Sequence, residues 1–302
     1  MPSAPEVPVP GTHPATVAVA PPCPGPACWA GAPSAARDDD GAFWLAYRRR
    51  VPQHAGRGTA TVLARAADGE RYETVVELPK ERFGAESLER PALVRTPAGR
   101  WRLYVSCATP GSKHWRIDVL EASRPDALAD GATRTAFAGD PEWGVKDPVI
   151  RHDGERWVAW VCCHPLAEPG AEDRMLTRFA ISADGLEWTW AGDALVPRSG
   201  AWDARGTRVT AVLARAGVAY YDGRASAEQN FHERTGLAAA AGPGGGLARL
   251  HARGTEPLAT SPDGGGALRY LDVVALAEGG YRLFYERARG DGAHELCTEL
   301  SP

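Results

Sequence analysis

The amino-acid sequence predicts an all-β protein, a five-bladed β-propeller whose ring is closed by an N-terminal strand. The main observation is a repeat: an apolar strand, a turn and a second apolar strand recur five times along the 302 residues. The clearest repeat has strands at residues 148–150 and 157–160, on either side of the turn residues Asp153 and Gly154. The repeats are about sixty residues apart, a period typical of propeller blades built from short strands.

Each repeat is expected to contain three or four antiparallel strands. In the third repeat a further strand at residues 175–182 is followed by a turn at residues 183–188, which leads into an outer strand. A single meander cannot bury both of its faces, so the five are expected to stack around a central axis. The repeats begin near residues 33, 91, 148, 211 and 273.

The two ends of the chain are expected to meet. Residues 16–20 can form a short strand far from the first repeat, and the last repeat ends after its third strand at residues 294–300. A closed ring removes exposed strand edges, which would otherwise pair with other chains. We therefore predict that residues 16–20 supply the outer strand of the last blade, with a Pro-rich segment at residues 1–26 and a propeller domain at residues 27–302.

The composition excludes several classes of partner. The formal net charge is −4, whereas a nucleic-acid groove needs a clustered excess of Lys and Arg. No apolar stretch has the length of a membrane span, and residues 1–26 lack a basic leader and a continuous apolar region. We therefore predict a cytoplasmic protein that takes a small-molecule substrate, without nucleic-acid or membrane partners. The sequence makes no prediction of the oligomeric state.

The six cysteines are predicted to be thiols, because their spacing is irregular and a reducing compartment would keep them so. Cys23 and Cys28 lack the two further ligands that a metal site needs, so we predict unpaired small side chains. Cys107 and Cys163 end second strands, where small buried residues are common; the alternative is a Cys–His nucleophile, since His164 follows Cys163. No cofactor or metal is predicted, and a structural cation in the axial channel is left open.

The topology of a propeller selects the candidate pocket residues. Inner strands start at the pocket face, and the loops that join second and third strands return to it. The candidate catalytic residues are Asp147, Glu89, Asp272, His164, His232 and Glu233. The candidate substrate-binding residues are Arg90, Lys146, Arg205, Arg208, Tyr270, His114, Trp115 and Trp29.

Five of the eight histidines fall one to each returning loop. Neutral imidazole suits acid–base chemistry near neutral pH and also binds metals, but loops collect polar residues in any protein, so solvated histidines are the alternative. These histidines are at positions 54, 114, 164, 232 and 294.

The tryptophans divide into two groups. Trp29 and Trp115 lie beside inner-strand starts or loops and are candidate stacking surfaces for a sugar ring or another flat ligand. The tryptophans within second strands are predicted to lie in the core between blades. They are Trp44, Trp101, Trp157 and Trp160.

The segment at residues 146–154 resembles the five-bladed propeller glycosidases, the clan that includes glycoside hydrolase family 43, and residues 179–188 and 200–203 resemble the same clan. The resemblance implies an inverting hydrolysis by three carboxylates: an Asp base in the first blade, an orienting Asp in the third and a Glu acid in the fourth. Asp147 matches the orienting Asp.

The other two carboxylate positions are not matched. Ala32 stands directly before Pro33, where the base is implied, and residues 205–210 are cationic and hydroxylic where the acid is implied. A methyl group cannot act as a base. Asp147 is therefore assigned as base or orienter, and the acid is sought at Glu89 and among the loop histidines.

Three functions remain open from the sequence. The first is a glycoside-hydrolase-like enzyme acting on a carbohydrate or a glycosylated small molecule, with Asp147 retained. The second is a biosynthetic enzyme that uses the same scaffold for a cyclisation, elimination or transfer on an anionic small molecule, since arginines bind carboxylates and phosphates bidentately. The third is a catalytically silent sugar-binding module.

Overall fold

The computed structural model describes residues 7–242 and 246–302, so residues 1–6 of the predicted N-terminal segment lie outside the described residues. The described residues form twenty β-strands and six short 3-10 turns, which confirms the all-β prediction. In this part of the chain, no helix has the length and apolar character needed to cross a membrane. The 3-10 turns are Gln53–Ala55, Lys80–Phe83, Pro125–Asp130, Ala214–Ala216, Gly246–Ala248 and Gly264–Gly266.

After a first short strand, the chain forms a succession of antiparallel meanders. The first strand is β1 (Ala15–Val19). The first meander consists of β2 (Trp29–Arg37), β3 (Phe43–Arg50), β4 (Gly58–Ala66) and β5 (Glu73–Pro79). The second consists of β6 (Leu88–Arg95), β7 (Trp101–Ala108), β8 (Trp115–Ala122) and β9 (Arg134–Phe137).

The remaining strands continue the same order. The third meander consists of β10 (Trp143–His152), β11 (Trp157–Pro165), β12 (Leu176–Ser182) and β13 (Thr189–Leu195). The fourth consists of β14 (Gly206–Leu213), β15 (Val218–Arg224), β16 (Arg234–Ala240) and β17 (Leu250–Arg253). The last consists of β18 (Leu268–Ala275), β19 (Tyr281–Ala288) and β20 (His294–Ser301).

The first strand of each meander contacts the first strands of its neighbours. β2 contacts β6, β6 contacts β10, β10 contacts β14, β14 contacts β18, and β18 contacts β2. These inner strands therefore lie around a common axis, and their two ends define the two faces of the molecule.

Bulges interrupt the inner strands near the axis. In β2, β10 and β18 the pairing register shifts within the strand. Each of these bulges holds one non-glycine residue with a positive φ: Ala32 at 53°, Asp147 at 52° and Tyr270 at 55°. A left-handed backbone is unfavourable for a residue with a Cβ atom and persists only where the surrounding structure enforces it. Ala32 thus occupies the position in β2 that Asp147 occupies in β10.

Five hydrophobic clusters are found among the described residues, and each lies between two neighbouring meanders. Successive side chains of a second strand point to opposite faces of its sheet. In β7, Tyr104 packs toward the third meander, whereas Leu103 and Val105 pack toward the first. The prediction that four tryptophans of the second strands lie between blades is confirmed for Trp44, Trp101, Trp157 and Trp160.

Strand β1 pairs antiparallel with the outer strand of the last meander, β20. The predicted place of residues 16–20 beside the last meander is confirmed, with the strand starting one residue earlier. The carboxylate of Glu299 accepts hydrogen bonds from the backbone amides of Gly11 at 2.7 Å, Thr12 at 3.2 Å and His13 at 2.8 Å. The N-terminal segment is therefore fixed to β20 by a buried charge as well as by strand pairing.

Cys23 and Cys28 form a disulfide, so the prediction that both are unpaired thiols is wrong. A succession of bends between them brings their Cα atoms to 5.4 Å, within the range that a disulfide requires. Local turn geometry of this kind leaves no signal in cysteine spacing. The free cysteines of the described residues are all buried: Cys107, Cys162, Cys163 and Cys297.

The disulfide predicts a specific thiol count. Denatured protein titrated with a thiol reagent should give four reactive thiols before reduction and six after it, because only Cys23 and Cys28 are paired. Replacement of Cys23 by Ser should lower the free energy of unfolding by about 2 kcal/mol, the value expected for closing so short a loop. Six thiols in unreduced protein would contradict the disulfide.

Candidate functional site

A pocket of about 210 Å³ opens at one end of the axis, at the starts of the inner strands. Inner-strand residues such as Glu89 and Arg269 form part of its wall, and loops that follow second strands supply the rest. We call this site the axial pocket. Its lining residues are Trp29, Arg48, Arg50, Arg57, Glu89, Lys113, Trp115, Lys146, His164, Glu172, Asp173, Met175, Arg208, Arg224, Asn230, Phe231, Glu233, Arg269 and Tyr270.

The lining carries an excess of positive charge. Eight of its side chains are Lys or Arg and four are Asp or Glu. The buried arginines Arg48, Arg208, Arg224 and Arg269 are all paired with buried carboxylates. The excess therefore lies with the less buried cations of the lining, Arg57, Lys113 and Lys146. The potential inside the axial pocket therefore favours a negatively charged ligand.

Buried ion pairs in the pocket wall join the first meander to the second and the fourth to the last. Glu89 accepts hydrogen bonds from Arg48 and from Arg50, the latter at 2.9 Å. Glu233 accepts from Arg224 at 2.6 Å and also from Arg269. In this wall each buried carboxylate therefore lies between two guanidinium groups, and at least one of the two comes from a neighbouring meander.

These contacts hold the carboxylates in the ionised form. Burial raises the pKa of Glu89, but Arg48, Lys146 and Arg50 outweigh burial and place that pKa well below its ordinary value of 4.5. For Glu233 burial is again the largest single effect, and Arg269 and Arg224 together reverse it, so its pKa is also lowered. Neither side chain holds a proton near neutral pH, and neither can serve as a general acid there.

Glu286 lies behind the pocket wall and connects it to the last meander. Its carboxylate accepts hydrogen bonds from Arg269 at 2.7 and 2.9 Å and from Arg48 at 2.7 Å. The third partner is His294 Nδ1, at 2.7 Å from the same carboxylate. Burial lowers the pKa of His294, which is therefore neutral at pH 7 and donates this hydrogen bond from Nδ1.

Asp147 lies beneath the axial pocket, fully buried at its bulge. Its carboxylate accepts hydrogen bonds from the backbone amide of Arg90 at 3.1 Å and from Arg208 Nη1 at 3.0 Å. Lys146 Nζ is 3.6 Å away. The side chain does not line the pocket, so its effect on a ligand passes through Arg208 and Lys146.

Arg208 connects Asp147 to a second buried carboxylate. Its Nη2 and Nε donate to Asp222 at 2.6 and 3.2 Å, and its guanidinium carbon lies 3.8 Å from the centre of the Tyr270 ring. Burial raises the pKa of Asp222 to about 6 despite Arg208, so Asp222 is ionised at neutral pH. Burial also raises the pKa of Tyr270, which keeps its phenol neutral.

His164 lines the pocket as a neutral imidazole. Burial, with Lys146 as the next cause, places its pKa well below the ordinary 6.5. Its Nδ1 is 2.6 Å from the carbonyl oxygen of Glu172, which can only accept, so Nδ1 carries the proton and Nε2 is left as an acceptor. Nε2 is 3.5 Å from Cys162 Sγ, whose pKa burial raises to about 12. This pair therefore holds a thiol, not a nucleophilic thiolate.

Cations lie against the tryptophans predicted to stack on a sugar. The guanidinium carbons of Arg50 and Arg269 are 4.5 and 4.7 Å from the centre of the Trp29 ring, and His294 stacks on the same indole. Lys146 Nζ is 4.9 Å from the Trp115 ring centre. Both indoles thus position cations at the pocket.

Several buried donors of the axial pocket lack a protein acceptor. Among the residues that the structure describes, no acceptor lies within hydrogen-bond distance of Trp29 Nε1 or of the Nε atoms of Arg48, Arg50 and Arg224. A buried donor without a partner is costly, by about 1–3 kcal/mol. All four atoms donate, so only acceptor oxygens, of water or of a ligand, can satisfy them.

The structure brings together eight of the fourteen candidate residues. Those that line the axial pocket are Glu89, His164, Glu233, Lys146, Arg208, Tyr270, Trp115 and Trp29. Asp147 lies directly beneath them, and Arg205 lies beside them through its bond to Asp173 at 2.7 Å. His114 and His232 are outside the lining, where they contact Thr109 and Gly264.

Arg90 and Asp272 lie elsewhere. Both line a second cavity at the opposite end of the axis, so Asp272 cannot act together with Glu89 or Glu233. Arg90 lies two positions after the start of β6, and Asp272 lies four positions after the start of β18.

Sequence reasoning did not select several lining residues, namely Arg57, Glu172, Asp173, Met175, Phe231 and Arg269. Arg269 had a usable signal, because it immediately precedes the candidate Tyr270 in an inner strand. The others lie in loops, where position depends on the folded chain.

A structural cation does not fit the axial channel of this chain. Guanidinium groups dominate both of its ends, with Arg208 and Arg269 at one and Arg90 and Arg151 at the other. In residues 7–242 and 246–302, no three His, Cys, Asp or Glu side chains form a group suited to a metal ion.

Comparisons with known proteins agree with the geometry. No family model matches the chain, and no curated protein matches it. A glycosyl hydrolase from Bacteroides ovatus superposes with a TM-score of 0.69 at 14% identity, over 97% of this chain and 95% of that one. A thermostable family-43 glycoside hydrolase gives a TM-score of 0.69 at 15% identity, over 90% and 89% of the two chains.

A third structure comes from the GH130 family of mannoside phosphorylases, which contains glycoside hydrolases that target β-1,2 mannosidic linkages. It superposes with a TM-score of 0.66 at 16% identity, over 100% of this chain and 95% of that one. Likeness at such identities concerns the fold. The chain therefore has the β-propeller fold of the family-43 and related glycoside hydrolases.

Proposed function

We propose that the axial pocket binds an anionic carbohydrate, or an anionic glycosylated small molecule, and that the protein acts on this ligand. The observation behind the proposal is the pocket lining, with eight Lys or Arg side chains against four carboxylates. Arginine binds carboxylates and phosphates bidentately, and the unpartnered donors Trp29 Nε1 and Arg50 Nε suit ligand oxygens. The carbohydrate part of the proposal rests on the glycoside hydrolases among the structural neighbours.

We propose that the reaction is non-hydrolytic. Inverting hydrolysis needs a carboxylic acid with a raised pKa and a carboxylate base on opposite sides of the bond. The buried carboxylates of the lining, Glu89 and Glu233, have lowered pKa values because of their arginine partners. Ala32 occupies the first-blade position equivalent to Asp147. His164 is neutral with Nε2 as an acceptor, but its lowered pKa makes it a weak base, so its part in the reaction is to accept a hydrogen bond.

Glycoside hydrolysis is the second candidate, favoured by the activities of the structural neighbours. Release of sugar from a glycoside by the wild-type protein, lost in Asp147→Asn with binding retained, would support it. If the wild-type protein hydrolyses none of a panel of glycosides but binds an acidic sugar tightly, the result supports the non-hydrolytic reaction. Binding of neutral sugars alone would support a silent sugar-binding module.

We also propose that residues 27–302 form a five-bladed ring, which is closed by β1 from the Pro-rich segment at residues 1–26. The contact of β18 with β2 and the pairing of β1 with β20 support it. A cytoplasmic location stays a prediction from the sequence. The thiol count bears on it, because stable disulfides are rare in reducing compartments.

Calorimetric titration tests the anionic ligand. Glucuronic acid should bind at least about tenfold more tightly than glucose. The Lys146→Met substitution should lower the affinity for glucuronic acid by about tenfold or more, because one charge-assisted hydrogen bond is lost. Lys146 lies at the pocket beside Trp115 and Asp147, and Met keeps most of its length while removing the charged amine.

The matched control is Arg215→Met. Arg215 is exposed in a turn between β14 and β15 and does not line the axial pocket, so its loss should leave both affinities unchanged. Equal affinity for glucuronic acid and glucose, or equal losses in the two variants, would refute an anion-selective pocket.

A further inference from the structure

A second cavity, of about 360 Å³, opens at the end of the axis opposite to the axial pocket. It is lined by the later residues of β2, β6, β10 and β18, and we call it the distal cavity. No residue among the described parts of the chain lines both cavities. Ala32 and Asp147 are fully buried at their bulges and lie between the levels of the two openings.

The charged side chains of the distal cavity are mostly cationic. They are Arg90, Arg95, Arg151 and Asp272. Arg95 forms a bidentate pair with Asp39 at the surface, so its charge is compensated. Arg90 and Arg151 remain, with one carboxylate, Asp272, near both of them.

Asp272 is already engaged by the backbone. Its Oδ2 accepts a hydrogen bond from the amide of Ala35 at 2.7 Å, and its Oδ1 accepts from the amide of Val273 at 3.0 Å. These bonds hold the carboxylate at the strand edge. Among the lining residues, two guanidinium groups therefore share the charge of one fixed carboxylate, while the buried carboxylates of Asp147 and Asp222, outside this lining, also act on Arg90.

Arg90 is held rigidly with part of its guanidinium free. Its side chain is 2% exposed, and its Nε donates to the carbonyl oxygen of Pro33 at 3.1 Å. Its buried Nη1 has no hydrogen-bond partner among the described residues. Burial is the largest influence on its charge and lowers its pKa, which indicates a guanidinium that its neighbours compensate incompletely.

Arg151, on the next inner strand, is half-buried and repeats part of this pattern. Its buried Nε also has no partner within residues 7–242 and 246–302. Burial lowers its pKa as well, opposed mainly by Asp272. A guanidinium charge that its neighbours compensate incompletely favours a bound anion over a neutral water molecule. An anion between the two guanidinium groups would compensate this charge.

We propose that the distal cavity is a second anion-binding site, in which Arg90 and Arg151 bind a small oxyanion such as phosphate or a carboxylate group. The site is separate from the axial pocket and does not depend on the ligand proposed there. Asp272 belongs to this site, where its fixed charge offsets part of the charge of the two arginines and favours a single anion of low charge.

Equilibrium dialysis with radiolabelled inorganic phosphate at constant ionic strength tests the proposal. Wild-type protein should bind phosphate at the distal cavity. This binding should be retained in the Lys146→Met variant, because that substitution changes only the axial pocket. Arg151→Met should weaken this binding by about tenfold or more, as expected for one lost charged hydrogen bond. Acetate should compete with phosphate if a single carboxylate group satisfies the site, and should not compete if three or four oxygens are needed.

The matched control is Arg156→Met on the same hairpin, because Arg156 is largely exposed beside Asp153 and lies outside the distal cavity. This variant should bind phosphate as the wild type does. Arg151→Lys keeps the charge and should bind with intermediate affinity. Phosphate should also raise the melting temperature of the wild type and of Arg156→Met but not of Arg151→Met.

Three results would overturn the proposal: no phosphate binding by the wild type, equal binding by Arg151→Met and Arg156→Met, or loss of all binding in Lys146→Met. The last would place the anion in the axial pocket. The glucuronic acid titration tests the axial pocket alone, so the proposal for one site can be refuted while the other stands.

Discussion

Replacement of Glu286 by Gln is expected to destabilise the protein by about 3–5 kcal/mol, the cost of breaking a buried ion pair by removing one partner. Glu286 is fully buried and accepts hydrogen bonds from Arg48, Arg269 and His294. A Gln side chain has the same size but places an NH2 group where one acceptor oxygen stood. Arg48 and Arg269 would then be left with less negative charge than their burial requires.

Urea denaturation of both proteins measures this effect, and its pH dependence supplies a second readout. The arginines lower the pKa of Glu286 below its ordinary 4.5. A lowered pKa contributes stability above the value in the unfolded chain, and this contribution is lost as the pH falls through the value in the folded protein. Wild-type stability should therefore decline below about pH 4.5 more steeply than that of Glu286→Gln.

Glu77→Gln is the matched control for the ion pair. Glu77 pairs with Arg49 at the surface, where both side chains are more than a third exposed. Exposed pairs contribute little, so this variant should unfold close to the wild type. Equal destabilisation by Glu286→Gln and Glu77→Gln would show that the buried network is not a main source of stability.

Deletion of residues 1–22 is expected to lower the free energy of unfolding by at least about 3 kcal/mol, from the loss of hydrogen bonds to a charged group and of a strand pairing. The buried carboxylate of Glu299 would lose the amides of Gly11, Thr12 and His13. Tyr220 would lose the carbonyl oxygen of Pro8, at 2.6 Å from its hydroxyl. The disulfide at Cys23 is kept.

Hydrogen exchange locates the effect of this deletion. Amides of residues 296–300 should lose protection, because β20 becomes an exposed edge strand. Deletion of residues 1–6 alone is the control, since it retains β1 and the bonds of Gly11, Thr12 and His13 to Glu299. Unchanged protection of residues 296–300 in the longer deletion would mean that β1 does not stabilise the last meander.

The repeat was predictable because it depends on local chemistry. Apolar alternation, turn residues and the tryptophans of second strands located the meanders and the clusters between them, and Trp44 and Trp160 lie where the pattern placed them. The place of β1 followed from the missing outer strand of the last repeat.

The electrostatics of the site was not predictable in the same way. Glu89 and Glu233 were selected as acid–base candidates, but their partners Arg48 and Arg269 belong to other meanders. Such pairs form only after the sheets have packed, and they decide whether a carboxylate holds a proton. Asp272 was placed on the wrong face, because sequence spacing does not give the level along the axis at which an inner-strand residue lies.

The alternation of side chains in the second strands has an evolutionary consequence. Leu103 and Tyr104 are neighbours in the chain but belong to different clusters of the core. Insertion of one residue into β7 would exchange the two sides and disrupt both contacts at once. Changes in length should therefore be tolerated in the hairpin tips and loops, so new ligand specificities in proteins of this shape can arise there while the length of every second strand stays fixed.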